Sequence, residues 1–189
     1  GEGGGGWLRG IAGDPADVRI MCRLAGERRL VEWEVESLPG YRGASPVRVG
    51  NGAALQFQGD VFGEVMLALQ QTRERGIEED RTSWALQLAL LEHVERVMDR
   101  DDHGIWEIRG PLHRFTHSRA MMWPAFDCGI RAVEEGGMQR PSAHWLELRD
   151  QLPAEIETNE ISANLNPFVE YYGDTEFDAA VLVHTQPRI

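Results

Sequence analysis

Cysteine is almost absent. Cys22 and Cys128 stand alone in 189 residues, too few and too far apart for a disulfide framework or a zinc site. A reducing, cytoplasmic setting is therefore expected, with no metal and no cofactor. Positive charge is also scarce: 19 Lys and Arg against 31 Asp and Glu leave a formal net charge of −12. That charge repels nucleic acid and anionic membrane and argues against both as partners. No apolar run approaches the roughly 18 residues of a membrane span, and no charged-then-apolar leader opens the chain. Short internal repeats are missing too, and the only low-complexity tract is the glycine run of GEGGGGW, read as a flexible lead-in over residues 1–6.

What is present is helical periodicity. The apolar share, 42%, suffices for the core of one domain or of a piece of a larger one. Phe57, Val61, Val65 and Leu69 recur every fourth position, joined by Phe62 and Met66, and predict a helix over 55–75. Trp84, Leu88, Leu91, Val94 and Met98 predict a second over 81–100. Met122, Phe126, Ile130 and Val133 predict a third over 118–135. Trp145, Leu148 and Leu152 predict a fourth over 141–158, which Pro153 is expected to kink or restart. YYGDTEFDAAVLV is expected to open a fifth. Ahead of the helices, VRIMCRL and RRLVEWEVE flank Ala25-Gly26-Glu27 and predict a β-hairpin over 18–36, followed by a long loop, LPGYRGASPVRVGNGA. Helices of this length suggest hairpins that present their loops at one end, with an ordinary bundle as the plainer reading.

Three loops shift the balance. LPGYRGASPVRVGN, GIWEIRGPLHRFTHS and FVEYYGDTEFDAA each combine aromatic rings with charged or amide groups. Sugar sites need this mixture, because rings stack on pyranose C–H faces while polar groups bind hydroxyls. Singly these features say little: a lone Trp is more often core, and a lone Glu more often solvated.

Taken in order, GERRLVEWEVESLPGYRG with SPVRVGNGAA, then DVFGEVMLAL, GIWEIRGPLHRFTHSRAMMW and FVEYYGDTEFDAAVL resemble consecutive blocks of glycoside hydrolase family fifteen, the bacterial glucoamylase and α,α-trehalase type. The resemblance runs from about Trp7 to Val183, and the Trp-Glu block is its most specific motif. It implies a mainly α fold: part of an (α/α)6 toroid of helical hairpins, with residues 1–189 as the central part of an incomplete catalytic domain.

The resemblance also implies chemistry. It makes the chain part of an inverting, exo-acting α-glucosidase with Glu107 as general acid, protonated when substrate arrives. Trp106 would wall the sugar subsite and exclude water. Tyr41, Arg48 and Asn51 fall in the block that resembles the family's substrate-binding loop. There Tyr41 would stack and Arg48 would fork onto ring hydroxyls, with turn chemistry and a structural ion pair as the equal alternative. His113, Thr116 and His117 are expected to bind sugar or, more in keeping with their place after the acid, to support the loop. Asp60 and Glu64 read as groups that back the site from behind or as helix-end groups, and Asp178 as a cap or brace for the last helix. The implied substrate is a small or oligomeric α-glucoside, with trehalose preferred over starch-like dextrin. Inversion also needs a general base, which in the family lies C-terminal to the last block here, while an Arg-Asp sugar clamp lies upstream of the first. The expected partner of this chain is thus the remainder of its own domain, and the chain alone is expected to be inactive. A non-catalytic carbohydrate-binding or degenerate helical module is the alternative.

Overall fold

The computed structural model describes residues 20–21, 30–135, 137–160, 169–180 and 182. The described residues are mainly helical, with one two-stranded antiparallel sheet. They fall into two units, divided between Phe57 and Gln58.

In the first unit, β1 (Trp33–Glu34) pairs antiparallel with β2 (Arg48–Val49), Trp33 opposite Val49 and Glu34 opposite Arg48. The second arm of the expected hairpin is therefore a strand, but it pairs forward with residues read as loop. The first arm lies largely outside the described residues. Between the strands the chain turns through Tyr41–Gly43, with Arg42 at φ 54° and Gly43 at φ 79°. Gly50, at φ 86°, passes so near β1 that a Cβ would lie 2.2 Å from the Val31 carbonyl oxygen. Only glycine satisfies both demands. Asn51 then caps a short turn, Gly52–Leu55, its Oδ1 accepting from the Ala53 amide at 2.9 Å.

The second unit holds α1 (Asp60–Glu74), α2 (Arg81–Val97), α3 (Thr116–Glu134) and α4 (Ala143–Glu160), matching the four helical periods. α1 starts later than its apolar spacing suggests, directly after Gly59, where a Cβ would lie 2.7 Å from Met122 Cε and 3.1 Å from Asp102 Oδ2. α2 starts at an Asp80 cap, whose carboxylate accepts from the Ser83 amide at 2.8 Å.

Contacts set the helix directions. Gly63 faces Met121 and Glu74 pairs with Arg131, so α1 and α3 run parallel. Leu91 meets Gly129 and Arg119 donates to the Met98 carbonyl, so α2 opposes α3. Asp127 pairs with Arg149 and Arg119 with Glu155, so α4 opposes it too. Such alternation is what consecutive helical hairpins produce. α3 packs against all three other helices and is buried almost all round, as a helix without a wet face must be. Its Met121, Met122, Ala125, Phe126 and Ile130 share the core with Phe62 and Met66 of α1, Leu90, Leu91 and Val94 of α2, and Trp145 and Leu152 of α4.

Pro124, buried in α3, and Pro153, on the exposed side of α4, end neither helix. The expected fifth helix does not begin at Tyr171. Residues 169–177 instead form a turn at Gly173 (φ 88°), with Val169 bridging Phe177 and Tyr171 bridging Phe115. The Gly-Asp-Thr step favours that turn.

Candidate active site

The Trp-Glu segment is a loop pinched at its base. The Asp102 amide donates to the His113 carbonyl at 2.8 Å, and the His113 amide returns a bond to Asp102 at 3.1 Å. Inside the pinch, Gly104 adopts φ 65° flat against Phe115, whose ring would lie 2.8 Å from a Cβ. Glu107 stands at φ 55°, a left-handed conformation that costs a residue with a side chain about 1–2 kcal/mol. It is half-buried. Its neighbour Trp106 is 57% exposed, and the indole nitrogen donates to Asp178 Oδ1 at 2.7 Å. The same oxygen accepts from the Ala180 amide at 3.0 Å.

Beneath the loop lies a buried polar cluster. Asp102 Oδ2 accepts from the Gly59 amide at 2.6 Å and Oδ1 from the Gly104 amide at 3.2 Å. Burial pushes the Asp102 carboxyl above its ordinary range, against the pull of Ser118 and those two amides. Asp60, in the first turn of α1, is pushed up to about 6, mainly by burial and next by the charge of Asp102. His117 Nε2 lies 4.0 Å from Asp60 Oδ2. Burial holds the His117 imidazole below the usual histidine value, opposed by the Ala180 backbone and Asp178. Thr116 is buried beside it in sequence. His113 stacks on Tyr171 with ring centres 3.9 Å apart, and Phe115 meets both rings edge-on.

The first unit carries the remaining candidates. Tyr41 is 82% exposed, with the Arg42 guanidinium 5.3 Å from its ring centre. Arg48 lies between Glu34 at 3.3 Å and Glu32 at 3.4 Å. Glu32 also accepts from the Gly52 amide at 3.0 Å. Asn51 makes the capping bond already described.

Glu107, Trp106, His113 and His117 thus belong to one loop and the helix it feeds. Asp102 and Tyr171, which sequence reasoning did not single out, frame that loop. Their only local signal is the Asp-x-Gly step ahead of Ile-Trp-Glu and a tyrosine pair before a turn. Among the described residues no group of three or more His, Cys, Asp or Glu is placed to hold a metal ion. Cys128 is buried and its thiol is pushed up to about 12, chiefly by that burial, which makes it inert.

An acid beside an aromatic ring, raised on a pinched loop at the head of a buried helix, is consistent with a sugar-cleaving site. Residues 5–186 match the model of glycosyl hydrolases family 15, and the chain belongs to that family. Its relatives include the trehalase of Mycobacterium tuberculosis, 32% identical over 166 residues that cover 88% of this chain and 24% of that protein. The trehalase of Thermoplasma volcanium is 31% identical, covering 82% of this chain and 24% of the relative. That of Mycolicibacterium smegmatis is 29% identical, covering 93% and 26%. The chain therefore spans about a quarter of the length of these curated relatives. No solved structure matches it significantly. No helix among the described residues is long and apolar enough to cross a membrane.

Proposed function

We propose that this chain supplies the general acid of an inverting, exo-acting α-glucosidase, that Glu107 is that acid, and that trehalose is the substrate. One observation carries the reading: Glu107 is held at φ 55°. A side-chain-bearing residue keeps such a conformation only where its surroundings impose it, and such residues cluster at working sites. Here the Asp102–His113 bridge closes the loop and Gly104, three residues before Glu107, packs against Phe115.

In this reading Glu107 protonates the glycosidic oxygen as the C–O bond breaks. Trp106 presents an apolar face to the pyranose ring. His113, stacked on Tyr171, holds one stem of the loop, and a neutral His117 fixes the head of α3. Tyr41 stacks on sugar, while Arg48 and Asn51 shape their loop and offer donors to hydroxyls. Water attacks the opposite face of the sugar and needs a base carboxylate roughly 6.5–9.5 Å from the acid. The reading assigns that base to a part of the catalytic domain outside these residues. Trehalose is favoured because the relatives named above are trehalases.

The test is glucose release from trehalose and maltose by the protein expressed from its complete reading frame, with the first-formed anomers followed by NMR. Trehalose should be the faster substrate and yield equal α- and β-glucose before mutarotation. Release of α-glucose alone, or none from either sugar, overturns the reading.

A further inference from the structure

Between the loop and the helices lies a carboxylate to which the hydrolytic mechanism gives no role. Asp102 is buried, yet each of its oxygens is committed to a different piece of backbone. Oδ2 takes the amide of Gly59, the residue that leads into α1, from 43 positions away. Oδ1 takes the amide of Gly104, inside the Trp-Glu loop. The backbone of Asp102 meanwhile forms both bonds of the bridge to His113, and its carboxylate lies against Gly59 beside Ser118 of α3. One side chain thus joins the start of α1 to the loop that bears Glu107, next to the head of α3.

We infer that Asp102 is the positioning residue of the Trp106–Glu107 loop, acting on catalysis only through where it holds Glu107. The chemistry demands a carboxylate. Two backbone N–H groups approach two different oxygens, so both oxygens must be acceptors. An amide of the same shape satisfies one donor and turns its own N–H groups toward the other. An alanine leaves both donors buried and unpaired. Gly59 and Gly104 complete the device, because at each a Cβ would enter occupied space: Met122 Cε at 2.7 Å in one case, the Phe115 ring at 2.8 Å in the other. A displacement of even about 1 Å at an acid costs on the order of 10²-fold in rate. It costs little in substrate binding when the binding groups stay put.

This inference rests on the reading of Glu107 as the acid, and the experiment separates the two. Asp102→Asn and Asp102→Ala are made in the protein from the complete reading frame, alongside Glu107→Gln. Native-state amide exchange at Gly59 and Gly104 is measured together with kcat and KM for trehalose per folded molecule. The expected result is fast exchange at both amides in Asp102→Ala, at one or both in Asp102→Asn, and a kcat lowered about 10²-fold in each with KM changed less than about threefold. Asp102→Asn indistinguishable from the parent would overturn the inference, as would loosened amides with an unchanged kcat. If neither variant folds, exchange in the parent decides: a Gly104 amide as fast as those of Ile105 and Trp106 at the loop tip overturns the tie. Turnover surviving Glu107→Gln removes the acid reading, while the amide measurements still judge the tie itself.

Discussion

The indole nitrogen of Trp106 donates to Asp178 at 2.7 Å, across 72 positions of sequence. The ring is more than half exposed, so packing alone does not set its plane and Asp178 does. Asp178→Ala should free the ring. The Trp106 indole N–H resonance is expected to move toward its solvent-exposed position, and KM for trehalose to rise about tenfold, equivalent to about 1.4 kcal/mol. Global stability should fall by about 1–3 kcal/mol, the usual net worth of the two hydrogen bonds that Asp178 accepts. An unmoved indole resonance would show that the ring is held by something else.

The conformation of Glu107 predicts a trade between stability and function. At φ 55° a glycine avoids the strain of about 1–2 kcal/mol that a side chain incurs. Glu107→Gly should therefore melt no lower than the parent while losing turnover. A clearly lower melting temperature would mean that contacts of the Glu107 side chain outweigh the backbone strain.

Asp60 makes stability depend on pH. Its carboxyl is raised from 3.8 to about 6 in the fold, so the folded state binds the proton more tightly than the unfolded chain. That contribution is fully present below about pH 3.8 and is lost as pH rises through about 6, a change of up to about 3 kcal/mol. His117 works the other way: its folded value is lowered, so its contribution is present above the ordinary histidine value and lost as pH falls through the folded one. Asp60→Asn isolates the first effect. Urea denaturation should show the variant gaining on the parent as pH rises from about 4 to about 7, and a constant difference would contradict the assignment.

The crossing of α1 and α3 depends on Gly63. A Cβ there would sit 2.1 Å from the Met121 carbonyl oxygen, and backbone on both sides leaves nothing flexible to yield. Gly63→Ala should cost about 1–3 kcal/mol through forced separation of the helices, against the stabilising direction expected for Gly→Ala in an ordinary helix. Denaturant midpoints read the sign directly.

Much of this was legible in the sequence because helices announce themselves locally. The spacing of Phe62, Met66 and Leu69, or of Leu91 and Val94, places each on a core face, and the Trp-Glu pair in its glycine-bounded loop stood out as candidate chemistry. What stayed hidden was non-local. The partner of Trp33–Glu34 is Arg48–Val49, in a stretch whose glycines and prolines read as loop. The segment after Val169 is expected from sequence to open a helix, yet the turn at Gly173 and the bridge from Tyr171 to Phe115 set its path. Asp102 carries no local signal beyond its Asp-x-Gly step, because its role comes from the amides of Gly59 and Gly104 meeting in space.

In the proposed reaction Glu107 donates the proton to the departing oxygen. The most direct measurement compares trehalose with α-glucosyl fluoride, whose leaving group departs with far less need of a proton, in the parent protein from the complete reading frame and in Glu107→Gln. The variant should lose about 10²–10⁴-fold in kcat on trehalose, the usual worth of general acid catalysis, while retaining most of its rate on the fluoride. Equal losses on both substrates, or near-parental turnover of trehalose, would contradict it.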